Sequence, residues 1–130
     1  MNIHQEVTID ASPAAVYGVL TGSEDFAKMT GGRSAEIAKE AGGAFSMFGG
    51  DIRGRNIELV SGKRVVQAWR SQAWPEGVYS IVRFELKSDG KRTKLIFDQA
   101  GHPEEARQML EGGWPQMYWE PMNAMLAGGR

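Results

Sequence analysis

Side chains able to carry chemistry are few in this sequence and stand apart from one another. His4 and His102 are the only histidines and there is no cysteine, and neither histidine falls into a metal-ligand spacing, so no metal site is expected. His102 stands in Gly101-His102-Pro103, where a turn or capping role is the ordinary one. Ser12, Ser46, Ser61, Ser71 and Ser80 each offer a hydroxyl, but none lies in the Gly-x-Ser-x-Gly elbow that exposes a nucleophile. The neighbouring carboxylates Glu24-Asp25 and Glu104-Glu105 read as helix starts, because acid and base work needs two groups whose surroundings push their pKa values apart. The 17 glycines contain no dinucleotide fingerprint and no Walker-type lysine motif, and read as turns. No catalytic residue and no cofactor is assigned.

The informative side chains are apolar. Four Trp and seven Met are present, with Trp114, Met117, Met122 and Met125 gathered near the C-terminus. Methionine adapts to irregular gaps, and Trp supplies a large surface with one donor. Such an inventory suits either a plain core or the wall of a cavity, and composition alone leaves both open. Arg70 follows Trp69 in a strand-like run, so alternation sends the two to opposite faces unless a bulge intervenes.

The elements that must position these residues follow from periodicity. Val7 and Ile9 alternate with polar residues, as in a strand buried on one face. Ser12-Pro13 starts a helix with Ala15, Val16, Val19 and Leu20 on one stripe, and Ser23 to Asp25 starts a shorter one that Gly31-Gly32 ends. From about Ser34 to Gln99 short runs rich in Val, Ile, Phe and Trp are broken at Gly42-Gly43, Gly49-Gly50, Ser61-Gly62, Pro75-Glu76-Gly77 and Asp89-Gly90, the spacing of an antiparallel meander. Val78, Val82, Phe84 and Leu86 share its buried face. Gly54 marks a bulge or bend rather than a strand end. Beyond Gly101, Leu110, Trp114, Met117, Tyr118, Met122, Met125 and Leu126 recur at steps of three and four, predicting a long amphipathic helix with a break near Gly113 and a kink before Pro121.

At 130 residues one domain spanning 1–130 is expected, able to bury roughly two thirds of its unfolded surface. A formal charge of -1 provides no field for nucleic acid, and Lys63-Arg64 and Lys91-Arg92 read as solvated hairpin turns. No run reaches the ~20 apolar residues of a membrane span. The absence of cysteine and of a signal-like N-terminus fits a cytoplasmic location.

Four segments carry a resemblance. Pro13-Ala-Ala-Val16-Tyr17-Gly-Val-Leu20, Gly43-Ala-Phe45-Ser-Met-Phe48-Gly49, Trp69-Arg70-Ser-Gln-Ala-Trp74-Pro75-Glu76-Gly77 and Gly113-Trp114-Pro-Gln-Met-Tyr118-Trp119-Glu120-Pro-Met122 together resemble the activator of heat shock protein 90 ATPase homologs, a branch of the START-like or SRPBCC superfamily. The resemblance covers nearly the whole chain but only the C-terminal domain of the longer eukaryotic members. It implies an α+β helix-grip (START-like, Bet v-like) fold: a curved antiparallel sheet wrapped around a long C-terminal helix, with two short helices after the first strand. It also implies a cavity for a small apolar ligand, lipid-like, sterol-like or polyketide-like, walled by Trp69, Val82, Phe84, Trp114, Met117, Tyr118 and Met122. Three functions stand beside one another: a non-enzymatic binder of such a ligand, a chaperone-binding cochaperone module, and a cyclase- or dehydratase-like enzyme on a polyketide-like substrate. A monomer or weak homodimer is expected.

Overall fold

The computed structural model describes residues 2–128. Strand β1 (Ile3–Ile9) leads into helices α1 (Pro13–Thr21) and α2 (Ser23–Met29); β2 (Glu36–Ile37), β3 (Ala44–Met47), β4 (Ile52–Val60), β5 (Arg64–Ser71), β6 (Ser80–Asp89) and β7 (Arg92–Ala100) follow. The sheet is antiparallel throughout, in the order β1-β7-β6-β5-β4-β3-β2. All five turns read from Gly and Pro fall between its strands. Ser12 starts α1 as its sequence dictates, its Oγ accepting the Ala15 N–H at 3.2 Å. Ser23 does a different job: its Oγ accepts the Ile37 N–H at 2.8 Å, joining α2 to the edge strand β2.

Alternation along the strands gives the sheet one buried face. Val65 and Trp69 of β5, Val82, Phe84 and Leu86 of β6, and Leu95 and Phe97 of β7 all point to it. Gly54 lies inside an unbroken β4, and the bulge falls three residues later, between Asn56 and Glu58. Gly54 is required for closeness instead: a Cβ there would stand 1.7 Å from the Ala68 carbonyl oxygen and 2.7 Å from Phe45 Cζ. Strands β3, β4 and β5 can therefore coil tightly at this end of the sheet.

Across the buried face runs the C-terminal helix: α3 (Arg107–Trp114), a π-helical stretch Pro115–Trp119, and α4 (Glu120–Gly128). The break lies after Gly113 rather than at it. Proline 115 has no N–H for the Glu111 carbonyl, and that carbonyl accepts from Gln5 Nε2 at 2.9 Å instead. The turn widens, Glu120 N–H reaching back to the Pro115 carbonyl. Gln5 also accepts the Trp119 indole N–H at 2.8 Å. Further along, Asn123 Oδ1 accepts the Asp10 N–H at 2.7 Å, so β1 and the helix are joined along their length.

The core on this face is aromatic. Trp114 lies 4.2 Å from Phe97, 4.4 Å from Tyr118 and 5.1 Å from Trp69, ring centre to ring centre. Its indole N–H donates to Gln99 Oε1 at 2.8 Å; Gln99 Nε2 donates to Ser80 Oγ at 3.0 Å, and Ser80 Oγ donates to the Trp69 carbonyl at 2.8 Å. Among the described residues no buried side-chain nitrogen or oxygen lacks a hydrogen-bond partner.

On the outer face, His4 Nδ1 meets Asp98 Oδ1 at 2.7 Å and His4 Nε2 meets Glu6 Oε2 at 2.9 Å, while Lys94 pairs with Glu6 and Arg83 with Asp98. The hydrogen bond to Asp98, then that to Glu6, raises the His4 pKa above its ordinary 6.5. A raised pKa stabilises the fold where the group is protonated. The contribution should be complete below about pH 6.5 and be lost as pH rises through the folded value. A histidine NMR titration should give that raised pKa, and His4→Gln should remove this part of the pH dependence of unfolding. In the core, Trp114→Ala should cost ~3–5 kcal/mol in chemical denaturation, the range for truncating a buried large aromatic.

Candidate functional site

Between α3, the π-helical stretch and the β3–β5 end of the sheet lies a cavity of about 400 Å³. That volume is in the range that holds a drug-sized molecule. Its aromatic lining is Phe48, Trp69, Trp74, Trp114 and Tyr118. Met109, Met117 and Leu110 of the helix extend it, and Met109 at 79% exposure and Met117 at 39% form the rim.

Each wall has a local cause. Phe48 opens the β3–β4 turn with φ 54°, followed by Gly49 and Gly50 at φ 67° and 98°. A left-handed backbone is unusual for a bulky residue and costs about 1–3 kcal/mol where the surroundings enforce it. The ring packs 5.4 Å from Phe26 and 5.7 Å from Tyr118 and is held at 5% exposure. Arg33 fastens it from outside, Nη2 donating to the Phe48 carbonyl at 2.8 Å and the guanidinium lying 5.3 Å over the ring.

Trp74 is brought in by the loop between β5 and β6. Arg70 faces away from Trp69, as alternation requires, and its guanidinium donates to the carbonyls of Trp74 at 2.8 Å and Pro75 at 3.0 Å. The same guanidinium lies 5.7 Å over the Tyr79 ring. The Trp-Arg and Trp-Pro-Glu-Gly segments thus form one unit: Arg70 holds the loop folded and Trp74 rests 5.7 Å from Trp69. Gly113 lines the cavity from the helix, and a Cβ there would meet nothing within 4 Å.

Tyr118 closes the floor. Its hydroxyl oxygen accepts the Trp69 indole N–H at 3.4 Å, and burial pushes its pKa far above the ordinary phenol value, so it stays protonated. Charged lining residues are Arg33, Asp51 and Glu105, all exposed at the rim. Among the described residues no group of three or more His, Asp or Glu side chains could hold a metal ion.

Of the seven residues read from the sequence as a wall, Trp69, Trp114, Met117 and Tyr118 line the cavity together. Val82, Phe84 and Met122 do not. Val82 and Phe84 of β6 lie at 0% and 1% exposure in the packed core beneath, and Met122 lies there at 0%, beyond the π-helical stretch that changes the angular step of the helix. Phe48, Trp74 and Met109 were not singled out as wall residues. Positive φ at Phe48 and the folding back of the Trp74 loop depend on contacts far off in sequence, and for Met109 the step of five from Trp114 hides the shared edge.

These features define a START-like helix-grip protein. A crystal structure of an HSP90 activator from Plasmodium falciparum is similar in fold, with TM-score 0.92 at 24% identity over 98% of this chain and 96% of that one. A solution structure of the Aha1 dimer from Colwellia psychrerythraea gives TM-score 0.83 at 20% identity over 100% and 99%. The chain belongs to the family described as Activator of Hsp90 ATPase homolog 1-like protein, whose model matches residues 10–127. Among curated relatives, the activator of 90 kDa heat shock protein ATPase homolog 2 of Mus musculus is 27% identical over 95% of this chain and 37% of its own length. Homolog 1 of Homo sapiens is 29% identical over 87% of this chain and 33% of its own length. The chain therefore spans about a third of the length of these relatives.

Arg70→Ala should free the loop. Loss of ~1–2 kcal/mol is expected from two hydrogen bonds to carbonyls, with Trp74 emission shifting toward that of an exposed indole. Arg70→Lys should rescue neither, because an ammonium lacks the planar fork that serves both acceptors.

Proposed function

We propose that this domain is a non-enzymatic binder of a small apolar molecule, seated between the C-terminal helix and the β3–β5 end of the sheet. The observation that carries this reading is the aromatic-walled cavity of about 400 Å³ with adaptable methionines at its rim. The protonated Tyr118 phenol in its wall can donate a hydrogen bond to an oxygen of a bound molecule.

Gly113 gives a clean test. Because its cavity side is open, Gly113→Phe can fill the volume without a backbone clash, and replacing a helical glycine gains rather than loses helix propensity. The expected outcome is loss of binding of neutral naphthalene derivatives in calorimetry with the unfolding midpoint unchanged or raised. Retained binding would place the ligand elsewhere, and a fall in midpoint would reveal packing where the cavity is drawn.

A second reading is docking on a chaperone. It is supported by the relatives named as activators of the 90 kDa heat shock protein ATPase and by the exposed Met109 and Met117, which present flexible apolar surface. Titration of the purified chaperone against the chain and against Met109→Glu distinguishes it: docking through this rim requires the variant to bind more weakly. A homodimer, as named for the Colwellia relative, would appear as a concentration-dependent mass in the same experiments.

A further inference from the structure

We propose that the cavity takes a neutral, flat aromatic molecule bearing one oxygen acceptor, a ketone or ether, that accepts a hydrogen bond from the Tyr118 hydroxyl. This rests on the binding reading above and narrows it. Three observations carry it, each from a different part of the wall.

The first is an uncommitted donor. Tyr118 lies at 3% exposure and lines the cavity. Its oxygen accepts from Trp69 Nε1 at 3.4 Å, a long bond, and its own proton has no acceptor among the described residues. A buried donor without an acceptor is costly, so a ligand oxygen that meets it gains more than the same oxygen would at the surface. The other hydroxyl on the lining, that of Ser71, accepts the Ala73 N–H at 3.1 Å and is only half-buried, so water can serve it as well as a ligand. The indole N–H groups of Trp69 and Trp114 are already committed within the protein, and that of Trp74, on the loop between β5 and β6, is the other lining donor a ligand could meet.

The second observation concerns shape. Five aromatic side chains line the cavity, and a flat ring seated among them can make the offset or edge-on contacts that add to area burial in aromatic pairs. The third concerns charge. The rim carries the acids Asp51 and Glu105 against the base Arg33, whose guanidinium is held by the Phe48 carbonyl and ring. A carboxylate ligand would meet a rim with more negative than positive groups and a floor without a cation. Fatty-acid anions are disfavoured on this ground.

The test compares acetylnaphthalene, ethylnaphthalene and naphthoate, substituted at the same ring carbon, by calorimetry on the unaltered protein and on Tyr118→Phe. The variant should weaken the ketone roughly three- to tenfold, the worth of one hydrogen bond made in a dry site, and leave the hydrocarbon unchanged. Naphthoate should be the weakest of the three. If Tyr118→Phe weakens ketone and hydrocarbon alike, or neither, or if naphthoate binds most tightly, this ligand class is overturned while an apolar binding cavity stands. If none of the three binds, the binding reading fails together with it. Should Tyr118→Phe not fold, the infrared carbonyl stretch of acetylnaphthalene bound to the unaltered protein decides. A frequency below that in hydrocarbon solvent supports the bond, and the hydrocarbon value overturns it.

Discussion

The hydrogen bond from the Trp114 indole to Gln99 sets the rotation of the C-terminal helix, and most of what surrounds the cavity follows from that rotation. Gln99 is fully buried in β7, so both ends of its amide need partners. Trp114 satisfies the oxygen, Ser80 Oγ of β6 accepts from the nitrogen, and the Ser80 hydroxyl donates in turn to the Trp69 carbonyl of β5. Three strands and one helix are thereby fixed in one register by a polar chain inside an aromatic core. Rotating the helix would strand a buried amide without partners, a larger cost than the loss of a few apolar contacts. With Trp114 fixed, Tyr118 comes to the cavity floor one turn later, and Gly113 faces the open side.

The cavity survives because the elements around it are held from outside rather than by packing into it. Arg70 holds the Trp74 loop from the opposite face of β5, and Arg33 holds the strained Phe48 turn from the rim. Gly54 leaves room for the Ala68 carbonyl of β5 and the Phe45 ring of β3, which no side chain at that position would permit. At the other edge of the sheet Gln5 and Asn123 hold the helix to β1 and the residue after it.

Much of the fold was legible because it rests on local signals. Ser12-Pro13, Gly31-Gly32, the five turns and the alternation of Val82, Phe84 and Leu86 each act over a few residues, and each appears where its chemistry requires. The family resemblance ordered these elements into a helix grip. Of the cavity wall, Trp114, Met117 and Tyr118 were legible from one helix face, and Trp69 of β5 from the family resemblance. Met122 shares that periodicity yet leaves the cavity, because a π-helical turn changes the angle per residue and sequence steps of three and four no longer track one face. Gln67, Gln99 and Thr93 broke the apolar alternation of the buried face, and their partners Asn56, Trp114 and Ala11 stand 11, 15 and 82 residues away, outside the few residues over which alternation is read.

The joining of β1 to the C-terminal helix also bears on the order of folding. Gln5 reaches Glu111 and Trp119, and Asn123 reaches Asp10 and Thr8, all across more than a hundred residues of chain. Strand β1 likewise pairs with β7, and with no other strand among the described residues. Contacts of such separation form late, because the loop-closure entropy must be met before they contribute. During synthesis the meander can assemble while its aromatic face is still uncovered, and the helix that follows β7 shields it. The interval in which Trp69, Phe84 and Phe97 lie open to other chains is therefore set by how quickly residues 107–128 join the meander, and exposed apolar surface in that interval is what other chains could meet.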